Sequence, residues 1–254
     1  MLSRIKNYRF DWKLSLFTVL FVPMLLSLGC WQLEREQEKL ELQALYESRQ
    51  GAQTVSLSSL NIEDDLQYMP VKFQGYFDNE HSFLLDNKIF EGQVGFEVLS
   101  PFYTSAGELV FINRGWVAQN AYREILPSVD QVNEEVELEG SVYSPLGEQF
   151  MLGLDASSDS WPRIIQSLNI NSMASALSTY VEPFPYSVRL GPFQPGVYVR
   201  YWPVISTTPE KHRAYAVQWF SMTAVLILLY FFVSTKTDGA ASSKPVVKGE
   251  KKLG

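Results

Sequence analysis

The sequence predicts a membrane protein in which two transmembrane α-helices anchor a β-rich α+β domain, its antiparallel strands curled into a small barrel. Three observations carry this prediction. Uncharged stretches of membrane-spanning length occupy residues 14–33 and 214–235, and no third one lies between them. Charge is sorted by position: the N-terminal flank carries Arg4, Lys6, Arg9 and Lys13 against Asp11, the tail carries five lysines against Asp238 and Glu250, and residues 34–213 hold 12 basic and 25 acidic residues. Between the spans, short runs rich in β-branched and aromatic residues alternate with turn residues, the pattern of strands.

Each span follows from its length. The 20 residues from Leu14 to Leu33 cover about 30 Å as a helix, the thickness of a bilayer core. Pro23 in the middle removes one backbone donor and is expected to kink the helix. Two other readings of this stretch fit its residues less well. A cleaved secretory signal has a shorter apolar core, whereas this run continues through Trp31-Gln32-Leu33 into a charged, helix-favouring segment. Leu28-Gly29-Cys30 is similar to the end of a lipid-attachment box, but Ser27 stands where such boxes usually have Leu, and the second span already anchors the chain. Basic flanks at both ends place residues 1–13 and 236–254 on the cytoplasmic side, with residues 34–213 opposite.

From Glu34 to Arg49 the composition favours a helical continuation of the first span, ended at Gly51. Strands are predicted at Val71–Phe77, His81–Phe90, Val94–Phe102, Leu109–Val117 and Val136–Tyr143, linked by short turns that make successive strands antiparallel. Residues 144–162 read as a long loop. A further strand at Arg163–Leu168, a short helix at Asn171–Tyr180 capped by Asn171, and a strand at Tyr186–Leu190 complete six or seven strands. The prolines of 183–209 keep that segment mostly extended or irregular.

Composition excludes several function classes. With a formal charge of −7 over 254 residues the chain is not a basic nucleic-acid binder. Its one cysteine, Cys30, forms no intramolecular disulfide and no thiol pair for zinc, iron–sulfur or copper transfer, and is expected as a buried thiol within the first span. No nucleophile elbow, phosphate-binding glycine loop or H-E-x-x-H motif occurs, so no enzyme activity is expected. Of the two histidines, His81 reads as a solvated turn residue. His212 precedes the second span, with Tyr215, Gln218, Trp219 and Met222 following at helical spacing. An interfacial aromatic belt explains Tyr215 and Trp219; Gln218, about one turn inside the span, requires a polar partner. Cys30, Trp31 and Gln32 lie at nearly the same depth on the first helix, which makes Gln32 a candidate partner. An aromatic cleft there, with His212 and rim arginines, suits a planar amphiphile such as haem, and plain helix packing accounts for the same spacing.

Several segments, in order, carry a family resemblance: Leu28-Gly29-Cys30-Trp31-Gln32-Leu33-Glu34-Arg35; Gly75-Tyr76-Phe77; Gly92-Gln93-Val94-Gly95-Phe96 with Pro101; Asn113-Arg114-Gly115-Trp116-Val117; and His212 through Phe220. Taken together the chain resembles the Surfeit locus protein 1 family of cytochrome c oxidase assembly factors over nearly its whole length. The resemblance implies a non-enzymatic chaperone of respiratory complex IV biogenesis that assists haem A delivery to the catalytic subunit of a haem-copper oxidase, with haem A synthase as a further partner. It implies His212 as the haem iron ligand, no other metal site, and a structural or docking role for Asn113, Arg114, Gly115 and Trp116. The 13 residues before the first span are too few for a mitochondrial transit peptide, so a bacterial inner membrane and a periplasmic domain are expected. A scaffold that never touches haem, and a periplasmic sensor or binding module, are the alternatives.

Overall fold

The computed structural model describes residues 11–122, 125–146 and 160–235, in two compact units. The basic termini and most of the 144–162 loop lie outside these residues.

One unit contains two long helices. Helix α1 runs unbroken from Trp12 to Gln50, with Pro23 inside it, and Gly51 follows. Asp11 opens it, its Oδ1 accepting from the Lys13 and Leu14 amides, which satisfies two of the donors a helix start leaves free. Helix α3 spans Pro209–Ser234 with proline in its first turn, where the missing amide costs nothing. Both are long and apolar enough to cross a membrane. Most of their apolar side chains, Val19, Leu20, Leu228 and Phe232 among them, face outward, an arrangement that lipid satisfies and water does not. Cys30 is exposed on this surface rather than buried, because Gly29, about 100° away around the helix, takes the inward position.

The other unit, residues 42–204, has eight strands among its described residues: β1 Val55–Ser56, β2 Pro70–Phe77, β3 Phe83–Phe90, β4 Gln93–Thr104, β5 Leu109–Ala118, β6 Val136–Tyr143, β7 Arg163–Ile165 and β8 Pro183–Leu190. Five form a closed ring in the order β2-β6-β8-β5-β4, with β2 also pairing back onto β4. Strand β2 shows why it can close: Val71, Phe73, Gly75 and Phe77 alternate inward and Lys72, Gln74 and Tyr76 outward. Its first six residues pair with β6, and its last three, Gly75–Phe77, pair with Thr104–Phe102 of β4. At the crossover a Cβ on Gly75 would overlap the Tyr103 carbonyl oxygen.

Along β5, Val110 and Ile112 point into the barrel with Phe73, Phe102, Leu138 and Val188, while Leu109 and Phe111 point out. The outward pair is covered by β3, β7 and helix α2 (Ile170–Ala176), through Phe83, Ile165 and Met173. Burial on both faces explains why β4 and β5 read as nearly continuous apolar runs.

The sheet is mixed rather than purely antiparallel. Sequential strands β3-β4-β5 pair antiparallel, but β5–β8, β3–β7 and β1–β2 are parallel and join strands distant in sequence or separated by a connection. Strand β8 starts earlier than expected, and Pro185 falls within the irregularity between Leu109 and Phe111 of its neighbour, where no ladder bond is demanded. The predicted strand at 163–168 is only three residues long. Helix α2 is shorter than predicted and is capped by Asn169, not Asn171: the Asn169 side chain accepts from the Ser172 amide at 3.0 Å. His81 is half-buried, its Nδ1 2.7 Å from Asp78 Oδ2 and its ring edge-on to Trp161.

Gly75→Val forces β2 off β4. Urea denaturation is expected to show a loss of about 3 kcal/mol or more, and stability within about 0.5 kcal/mol of wild type would contradict the closure argument.

Candidate functional site

The two long helices meet along a narrow seam. On α1 the buried positions are Leu25, Gly29 and Glu36, with Gln32 half-buried between them; the 4-3-4 spacing is that of a packed helix face. On α3 they are Ala216, Thr223 and Ser234. Small residues let helices approach closely: a Cβ on Gly29 would collide with the Phe220 ring. Contacts at 15–230, 29–220 and 36–213 show that the helices run antiparallel.

Polar groups in the seam are paired across it. Ser15 Oγ lies 3.0 Å from the Tyr230 hydroxyl at one end. At the other, His212 Nδ1 lies 2.8 Å from Gln32 Oε1, and Arg213 donates to Glu36 Oε1 from Nε at 2.7 Å and from Nη2 at 2.5 Å. Glu36 is buried while Arg213 remains largely exposed, so the acid needs this cation to offset its lost hydration.

Of the predicted cleft residues, His212 and Gln32 come together and the others do not join them. Gln32 does not pair with Gln218. With about 100° per residue, Ala216, Trp219 and Thr223 share the inward face with His212, while Tyr215, Gln218 and Met222 fall on a neighbouring outward face. Gln218 and Trp219 line an apolar groove of about 630 Å³ with Phe17, Phe21, Met24 and Met222. The Trp219 Nε1 is buried with no hydrogen-bond partner. Trp31 and Tyr215 are exposed, and the Arg35 guanidinium sits 5.7 Å from the Trp31 ring centre while pairing with Glu38. Glu36 has no place among the sequence-predicted site residues, and Arg213 enters there only within the His212–Phe220 segment; Glu36 continues the seam seven residues after Gly29, a signal present in the sequence.

The pairing defines the imidazole chemistry. An amide oxygen only accepts, so His212 Nδ1 is the donor, and in the neutral ring this tautomer leaves the lone pair on Nε2. A histidine held in this way has the tautomer and fixed orientation of a metal-ligating imidazole. The donor chemistry of His212 suits a haem iron, while the apolar groove walled by Trp219 begins about two turns further along α3.

The Asn113–Trp116 segment is a second cluster, built within the barrel. The β4–β5 register shifts between Val98 and Leu99, leaving Arg114 as an extra residue opposite them; such a bulge re-aims a side chain, and Arg114 is turned inside, 1% exposed. Gly115 has φ +117°, and a Cβ there would strike the Val199 carbonyl. Asn113 donates to buried Glu97 at 2.6 Å and accepts from the Gly115 amide. Arg114 Nε donates to the Gly196 carbonyl at 2.7 Å, and its guanidinium lies 5.1 and 5.0 Å from the Phe77 and Tyr198 rings. Burial lowers the Arg114 pKa, with Tyr198 and Asp130 opposing the shift. Trp116 Nε1 donates to the Lys88 carbonyl. Gly95 packs against this indole, where a Cβ would meet the ring.

Residues 19–224 match the model of the SURF1 family. The chain is 27% identical over 231 residues to Surfeit locus protein 1 of Xenopus tropicalis, covering 84% of this chain and 73% of that protein. It is 26% identical over 234 residues to Surfeit locus protein 1 of Homo sapiens, covering 85% and 76%. It is 23% identical over 224 residues to a SURF1-like protein of Rickettsia felis, covering 86% and 95%.

Arg114→Ala removes the bulged cation and leaves a cavity between two rings, with an expected loss of about 3–5 kcal/mol. Arg114→Met, which keeps the volume and removes the charge, is expected to cost less. Equal losses by urea denaturation would mean that the guanidinium contacts, not the filled space, hold the segment.

Proposed function

Because the chain belongs to the SURF1 family, we propose that it is a non-enzymatic assembly factor for a haem-copper terminal oxidase, held in a bacterial inner membrane by α1 and α3. Both termini are cytoplasmic in this reading, which the basic flanks support, and the acidic barrel domain is periplasmic. The partner is the catalytic subunit of the oxidase, and haem A from its synthase is the cargo that the factor holds in passing.

The observation that carries the haem reading is the His212–Gln32 hydrogen bond. His212 presents Nε2 as the iron ligand, and Gln32 holds the ring in the tautomer that leaves this nitrogen free. Haem supplies the iron that the imidazole coordinates; the chain's own task is to orient that imidazole and to shelter an apolar body beside Trp219. Glu36 and Arg213 anchor α3 against α1 one residue further on, keeping His212 at a fixed depth.

A scaffold that grips the oxidase subunit without haem is the second reading, and one observation favours it: the same hydrogen bond also serves simple helix pairing in lipid. Purification after co-expression with haem A synthesis separates the two. Wild type is expected to carry a haem absorption band, His212→Ala to lose it, and Gln32→Leu to retain about one-tenth or less. A haem-free spectrum for wild type, with oxidase haem content still falling in membranes that lack the protein, would favour the scaffold.

A further inference from the structure

A cavity of about 410 Å³ opens within the barrel unit, between the last turn of α1, the start of β2 and the ends of β6 and β8. Arg49, Arg189 and Arg200 line it, with the hydroxyl-bearing Thr54 and Ser141; Glu139 is the one acidic residue in the lining, so positive charge prevails.

None of the three arginines has a carboxylate partner among the described residues. Arg49 donates from Nη2 to the Asp65 carbonyl at 2.9 Å and from Nη1 to Met69 Sδ at 3.4 Å. Arg200 donates from Nε to the Leu190 carbonyl at 2.9 Å, which leaves both terminal nitrogens of its fork uncommitted there. Arg189 is stacked 3.3 Å from the Tyr143 ring centre and 5.4 Å from that of Trp202, and its Nε is buried with no hydrogen-bond partner. Burial lowers the Arg189 pKa, with Tyr143 and then the more distant Glu97 carboxylate opposing the shift. Carbonyls and ring faces orient a guanidinium but do not neutralise it, and a desolvated cation with no carboxylate in contact is costly. Planar guanidinium forks gathered around one cavity match phosphate and carboxylate oxygens.

We infer that this cavity binds a small polyanion bearing phosphate or paired carboxylates, gripped by Arg49, Arg189 and Arg200. The volume exceeds that of one phosphate, so the anion carries further polar substance that Thr54 and Ser141 contact. The inference is independent of the haem reading, since no residue is shared between the two.

Calorimetric titration of the full chain in detergent with pyrophosphate and with citrate, at constant ionic strength set by chloride, tests it. Saturable binding is expected, weakened about 10-fold or more in each of Arg49→Gln and Arg200→Gln. Both residues reach the surface, and circular dichroism checks that the variants fold; Arg189→Gln is the stronger but riskier variant. Repeating the titration in phosphatidylglycerol and phosphatidylcholine nanodiscs distinguishes the source: competition by phosphatidylglycerol alone identifies a lipid headgroup, and equal binding in both identifies a soluble anion. No binding in detergent or in phosphatidylcholine, or undiminished affinity in the Arg49→Gln/Arg200→Gln pair, overturns the proposal.

Discussion

The barrel unit depends on one closure, the three-residue pairing of Gly75–Phe77 with Phe102–Thr104. Unclosed, β2 and β4 would each present a free edge, and Phe102 would lose the edge-on packing of Phe73 and Phe77, whose ring centres lie 5.4 and 5.0 Å away. The same closure places Phe77 beneath the Arg114 guanidinium. Arg114 in turn holds Gly196 through its side chain and Tyr198 through its carbonyl, and Trp116 takes the Val199 carbonyl. The segment 196–199, which has no strand partner of its own beyond this bridge, is thereby pinned across β5, and with it the approach to Arg200. A short edge contact thus propagates through aromatic packing to the wall of a cavity.

Much of this was legible in the residues. The two membrane helices follow from uncharged length, and the locations of β2 to β6 follow from alternation and turn residues, because these signals are local. What could not be read was partnership. Nothing in Pro183–Leu190 announces that it runs parallel to β5, since that pairing closes over 70 residues of intervening chain. The glycine of Asn113-Arg114-Gly115 marks an unusual backbone, but that the preceding arginine turns inward depends on a register shift set by β4. The seam is the instructive case. Depth along the helices brings Gln32 level with the start of the second span and makes Gln218 a candidate partner, but Ala216 and Thr223, the small residues, mark the inward face and leave Gln218 off it. Rotation about the axis, not depth, decides who meets, and His212 satisfies both.

Polar pairing in the seam has a different weight from pairing in the barrel. Around Glu97, Asn113 and Lys88 the bonds finish a core already specified by packing. Between α1 and α3 the surroundings offer little discrimination, because lipid is as apolar as the facing leucines. Ser15–Tyr230, Gln32–His212 and Glu36–Arg213 therefore set rotation and register as much as they add stability. The buried Trp219 Nε1, left without a partner among the described residues, stands beside the apolar groove.

The antiparallel helix pair joins the first and last described elements of the chain, and this has a consequence for the order of synthesis. Gln32 and Glu36 enter the membrane region early, and their partners follow only after some 180 residues of barrel sequence have been made. Until α3 arrives, the amide of Gln32 and the acid of Glu36 lack the partners that α3 brings. His212 and Arg213 silence both at once. The imidazole of His212 thus becomes oriented only in a molecule whose second helix is already in place beside the first.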